Sequence, residues 1–118
     1  MQGASASSNL HFMVAIDGSP ASHLAFQVVM ETLLHAPDKM TISHIYNREK
    51  SFLPFNQQPD ALRKTYESLT VSMGSKISLW WEEADFKLST KEHMVLLAQK
   101  SFASLIVIGM HGRKGPKA

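Results

Sequence analysis

The chain predicts an α/β fold, a doubly wound parallel sheet with helices on both faces, and three observations carry that reading. Strand-like and helix-like segments alternate as strand, helix, strand, helix, strand, helix, strand. Strands separated by helical segments pair in parallel through right-handed crossovers. The first and last strand-like runs, 11–16 and 104–108, are apolar enough to be covered on both faces. Each of them empties into turn chemistry, Asp17-Gly18-Ser19-Pro20 after the first and Gly109-Met110-His111-Gly112 after the last.

The elements follow in order. His11-Phe12-Met13-Val14-Ala15-Ile16 is the first strand. Residues 20–35 read as a helix, with Ser19 as N-cap and Pro20 at the first helical position. Leu24, Val28 and Leu34 mark its apolar stripe, widened by Ala25, Val29 and Met30, and 36–39 end it. Met40-Thr41-Ile42-Ser43-His44-Ile45-Tyr46 alternates with period two and is the second strand. Residues 47–58, with Pro54 inside and Pro59 just beyond, form a loop long enough to be functional or mobile.

From Asp60 the apolar positions Leu62, Tyr66, Leu69, Met73, Ile77 and Trp80 step by three and four, which favours one long helix over 60–82. Gly74 inside it costs about 1 kcal/mol relative to alanine. The alternative is a break near Gly74 with a strand over 77–81. On the helix reading, Trp80 and Trp81 point about 100° apart and one of them is partly exposed. Ala84-Asp85-Phe86-Lys87-Leu88 alternates as a short third strand. Ser89 or Thr90 caps a further helix with Glu92 in its first turn and Met94, Leu97, Ala98 and Phe102 on its apolar face. The fourth strand is 104–108.

Composition narrows the function classes. With 118 residues the chain makes one domain with a real core. It is 44% hydrophobic and 19% charged, as ordinary soluble domains are. No apolar run approaches the ~20 residues of a membrane span. Residues 1–10 lack a basic and an apolar signal-peptide region and read as a disordered leader to a domain over 11–118. The absence of cysteine excludes disulfides and thiolate metal sites, and a cytoplasmic protein is expected. A formal charge of +2, with basic residues spread out except for Arg113, Lys114 and Lys117, argues against a nucleic-acid binder.

In doubly wound sheets, ligands bind outside the carboxyl ends of strands where the strand order reverses. Asp17 ends strand one and Gly109 ends strand four, so neighbouring strands would bring both to one crevice. The loop after strand four is rich in glycine and basic residues, and glycine lets backbone N–H groups approach an anion closely. Other phosphate and hydrolase signatures are missing. Gly112-Arg113-Lys114-Gly115 is not a P-loop, the glycine spacing is not that of a dinucleotide fold, and there is no nucleophile elbow.

Val14-Ala15-Ile16-Asp17-Gly18-Ser19, then His44-Ile45, then Leu105-Ile106-Val107-Ile108-Gly109-Met110-His111-Gly112-Arg113 together resemble the universal stress protein domain, over residues 11–115. The resemblance implies a sheet ordered 3-2-1-4-5, a common dimeric state, and in one branch of the family binding of ATP or AMP. It implies that Asp17 contacts ribose or adenine, with Ala15 beside it, and that Ile45 lines the adenine pocket. It implies that Gly109, Met110, His111 and Gly112 wrap the ribose and phosphates, where Arg113 also sits and Mg2+ would be carried. After nine intervening residues the family pattern has a third glycine followed by serine or threonine, which would fall at about position 122, beyond Ala118. The expectation is therefore a domain lacking its last helix and fifth strand. Strand four would then be an apolar sheet edge, and self-association is expected.

Each residue also has a plainer role. Asp17 before Gly18 is ordinary turn chemistry. His111 has no carboxylate near it in sequence to orient it as an acid or base, and reads as loop structure. His44 is a strand residue packed near the crevice, while His11, His23, His35 and His93 read as surface or boundary residues without metal-ligand spacing. Arg113 and Lys114 meet phosphate or form a solvated tail, and the scattered methionines are core filler. The leading expectation is a nucleotide-binding stress-response module rather than a robust enzyme, since only Asp17 offers a carboxylate at the crevice. The alternatives are an interaction module of the same fold without nucleotide, and, more remotely, an ATP-using synthetase domain.

Overall fold

The computed structural model describes residues 10–33, 37–46, 58–85 and 87–109. Residues 1–9 of the expected leader, His35, and Met110, His111, Gly112 and Arg113 of the expected site lie outside these. The elements are β1 (His11–Ala15), α1 (Pro20–Val28) with a wider π-helical turn at Val29–Leu33, β2 (Lys39–Tyr46), α2 (Pro59–Thr70) with a tight 3-10 turn at Val71–Lys76, β3 (Ile77–Glu83), α3 (Thr90–Lys100) and β4 (Leu105–Ile108). They build one four-stranded parallel sheet in the order β3-β2-β1-β4. The register sets Ala15 beside Ser43 on β2 and beside Ile108 on β4.

Strand alternation divides the core. Phe12, Val14, Met40 and Ile42 face α1 and α2, where they pack with Ala25, Phe26, Val29, Leu62 and Tyr66. Met13 faces the other way, onto Leu97 and Ala98 of α3, with Ile45, Trp80 and Met94 around them. The sheet is thus covered on one face by α1 and α2 and on the other by α3, the layering of a doubly wound domain.

The long helix over 60–82 is corrected. The chain is helical only to Thr70, tightens, and turns into β3 through Gly74, whose φ of 61° and ψ of −136° suit glycine alone. Two periods overlap here. Ile77 and Trp80 extend the helical stripe, but Ile77, Leu79 and Trp81 also alternate, and it is these three that pack on the α2 face. The adjacent tryptophans therefore lie on opposite faces of the sheet. Trp81 Nε1–H donates to Pro59 O at 2.9 Å, and Trp80 Nε1–H donates to Glu82 Oε2 at 2.7 Å.

The expected strand over 84–88 is corrected in turn. Ladder pairing ends at Glu83, and Asp85 closes a turn by accepting from Lys87 N–H at 2.9 Å and Leu88 N–H at 3.0 Å. In α1 the buried side is Ser22, Ala25 and Phe26, not the Leu24 and Val28 stripe, both of which are exposed. Ser19 caps α1 as expected, and of Ser89 and Thr90 it is Ser89 that caps α3, with a full capping box to Glu92. Phe102 does not join the α3 face. It sits past the helix end at φ 59° and is 86% exposed. β4 is not covered on both faces as expected, since Leu105, Ile106 and Ile108 are exposed and its ladder among the described residues is with β1.

Candidate functional site

β1, β2 and β4 end side by side, and their carboxyl ends open into a cleft on the α3 face. Its apolar wall comes from Ala15, Ile45 and Ile108 at the strand ends and Met94 of α3. Ser22, Ser43 and Thr90 supply hydroxyls, and Asp17 supplies a carboxylate. Ile16 and Gly109, the residues at which two neighbouring strands leave the sheet, complete the lining.

The structure thus gathers Ala15, Asp17, Ile45 and Gly109, from three parts of the chain, around one space. Asp17 is exposed there, and its local structure combines the turn and site readings. Its Oδ1 accepts from Ser19 N–H at 2.9 Å, and its own N–H donates to Ser22 Oγ at 3.2 Å. The carboxylate is held by the first turn of α1 while lining the cleft. Gly109 has a packing reason to be glycine. A Cβ there would overlap the Ala21 carbonyl and lie 2.7 Å from Ser22 N, so β4 passes directly against the start of α1.

Behind the cleft, on the opposite face of β2, His44 is buried against Trp81. Its Nδ1 lies 2.8 Å from Ile16 O. A carbonyl only accepts, so Nδ1 carries the proton in this bond. Burial pushes the His44 pKa below its ordinary value, against opposing pulls from the Ile16 bond and the Asp17 charge. Burial likewise pushes the Tyr66 hydroxyl up to about 12, with a smaller push from Asp17. His93, expected at the surface, is buried and lies 3.0 Å from Glu82 Oε1, tying α3 to β3 beside the cleft. His11 and His23 are half-buried and bonded to Thr41 and Tyr66.

No protein-family profile matches the chain, and no curated protein sequence matches it. Solved structures do. A protein from the universal stress protein family of Burkholderia pseudomallei aligns with a TM-score of 0.63 at 20% identity, over 89% of this chain and 84% of that one. A universal stress protein in complex with cAMP aligns with a TM-score of 0.57 at 17% identity, over 85% and 75%. This is the universal stress protein fold. Protein Rv1636 from Mycobacterium tuberculosis shares it, with a TM-score of 0.63 at 19% identity over 90% of this chain and 75% of that one. At these identities the likeness is one of fold, and the chain's β3-β2-β1-β4 order agrees with it.

Within this fold, sequence reasoning missed Ile16, Ser22, Ser43, Thr90, Met94 and Ile108 as lining residues. A signal existed for two of them. Ser43 lies two residues before Ile45 and so shares its face of β2. Thr90 opens a helix that must start at the carboxyl end of the sheet, given a parallel crossover. Chemically, the cleft offers apolar walls to a flat ring and a carboxylate that accepts from hydroxyl groups. Among the described residues, no cluster of His, Asp and Glu could hold a metal ion, and no helix is long and apolar enough to cross a membrane.

Proposed function

We propose that the cleft binds an adenine nucleotide, ATP or AMP, and that the chain acts as a stress-response regulatory module. The observation that carries this reading is the convergence of Asp17, Ile45 and Gly109 on one cleft at the strand ends. That is where doubly wound folds bind ligands. The lining suits the base and sugar: Ala15, Ile45, Met94 and Ile108 offer apolar surface to adenine, and Asp17 can accept from ribose hydroxyls. Phosphates, with any Mg2+ they carry, would fall to Met110, His111, Gly112 and Arg113, beyond the described residues. The cAMP complex of a protein with this fold supports an adenine ligand. Asp17 is the one carboxylate among the described lining residues, and hydrolysis asks for more than that. The reading is therefore of binding rather than turnover.

Calorimetry with ATP, AMP and cAMP, with and without magnesium, tests it. Saturable one-to-one binding is expected, weakened about tenfold by Asp17→Ala, the worth of a hydrogen bond to a charged group. Heats of dilution alone up to millimolar nucleotide would contradict it.

A second reading, self-association through β4, rests on one observation: Leu105 and Ile108 are 48% and 50% exposed on a strand whose described ladder lies on one side only. Sedimentation is expected to show a dimer that Leu105→Lys weakens. A monomer at micromolar concentration would dismiss this reading and leave the first untouched.

A further inference from the structure

We infer that His44 is a positioning residue of the nucleotide cleft, setting its affinity from behind the sheet by holding the Ile16–Asp17 exit of β1 in place. The inference rests on the nucleotide reading of the cleft. His44 touches no ligand there, because Ser43 and Ile45 line the cleft and the residue between them points to the other face of β2.

Four hydrogen bonds fix the backbone where β1 becomes loop. Ile16 N–H donates to Ser43 O at 2.9 Å, continuing the ladder. Asp17 N–H donates to Ser22 Oγ at 3.2 Å, and Asp17 Oδ1 accepts from Ser19 N–H at 2.9 Å. The fourth, at 2.8 Å, runs from His44 Nδ1–H to Ile16 O. Ile16 O belongs to the peptide that carries the Asp17 nitrogen, so the bond sets the tilt of that peptide and the origin of the Asp17 side chain. The ladder bond holds one side of Ile16, and the two serine bonds come from the α1 turn that follows. Among the described residues, His44 holds the carbonyl of this peptide from β2, while the buried Ser22 holds its N–H from α1.

The imidazole is itself well fixed. It is buried, its ring centroid lies 5.5 Å from that of Trp81, and it stacks 6.1 Å from Tyr46. A rigid donor on a rigid strand positions better than a solvent-exposed side chain would, and a misplaced contact group costs affinity steeply.

The test contrasts two neutral replacements. His44→Asn puts an amide N–H close to the place of Nδ1, whereas His44→Gln carries its amide one bond farther, toward the place of Nε2 and past Ile16 O. AMP binding by calorimetry and Tm by circular dichroism are measured for both and for the unaltered chain. The Asn variant is expected to keep Kd within about twofold although its Tm falls, and the Gln variant to weaken binding about tenfold, one hydrogen bond's worth. Equal affinities in the two variants, or losses that follow Tm in both, would overturn the inference. If the Gln variant does not fold, His44→Ala, which has no donor, takes its place: a tenfold weaker Kd in the Ala variant beside an unchanged Kd in the Asn variant upholds the role, and equal affinities in the two refute it. An unaltered chain that binds no nucleotide refutes the cleft reading and the role of His44 together. A binding chain with an equally binding Gln variant refutes the role of His44 alone.

Discussion

Gly109 is fixed by a collision. Its missing Cβ is what lets the end of β4 lie against the Ala21 carbonyl, and that approach closes one side of the cleft. Gly109→Ala is expected to cost about 1–3 kcal/mol, the usual penalty for overpacking, and chemical denaturation measures it. His44 makes a pH prediction with a definite sign. Its folded pKa is depressed, mainly by burial, so below about pH 6.5 the unfolded chain takes up a proton that the folded one refuses. The His44 contribution is fully present above that pH and is lost as pH falls toward the lower folded value. Urea denaturation of the unaltered chain and of His44→Asn, compared from pH 8 to pH 5, should show a steeper acid loss in the former. Parallel curves would contradict the shift. The nearby charge of Asp17 and the stacked Tyr46 are common to both proteins, so the difference isolates the imidazole. Asp17 and Gly109 were legible from sequence because both stand where an apolar run meets turn chemistry. The grip of His44 on Ile16 was not, because a bond between side chain and backbone across neighbouring strands leaves no periodic trace.

At the scale of elements, α3 is the best specified. Ser89 accepts from Glu92 N–H at 3.1 Å, and the Glu92 side chain accepts from Ser89 N–H at 2.8 Å. Its first residue, Thr90, lines the cleft. Ser89→Ala is expected to cost about 1 kcal/mol of stability in denaturant titration. The other end of α3 is strained, because Phe102 occupies the left-handed region while hydrogen bonds from Phe102 and Ala103 N–H close the helix on Gln99 and Ala98. Phe102→Gly should therefore stabilise the chain, by about 0.5–1 kcal/mol, since an L side chain pays for this conformation and the exposed ring packs on little. These caps were legible because capping is local chemistry. The division between α2 and β3 was not, because Leu62, Tyr66, Ile77 and Trp80 satisfy a helical period across a segment whose second half also satisfies a strand period. Which period wins is decided by the sheet: β2 needs a neighbour, and residues 77–83 supply one.

For the whole molecule, the order of elements was enough to set the topology even with β3 misplaced. Moving that strand from 84–88 to 77–83 leaves the alternation of strand and helix intact, and with it the parallel order β3-β2-β1-β4. The same order places the starts of α1 and α3 and the ends of β1, β2 and β4 at one edge of the sheet, which is why residues distant in sequence meet in one cleft. The residues that the order alone could not assign are those whose role depends on face, such as Ser43 on one side of β2 and His44 on the other. Whether adenine nucleotide enters this cleft is decided by titrating isotope-labelled protein with AMP and following its backbone amide resonances. Saturable shifts concentrated at Ala15, Asp17, Ile45, Thr90 and Gly109 are expected. Shifts confined to other parts of the sheet, or none at millimolar AMP, would contradict binding in the cleft.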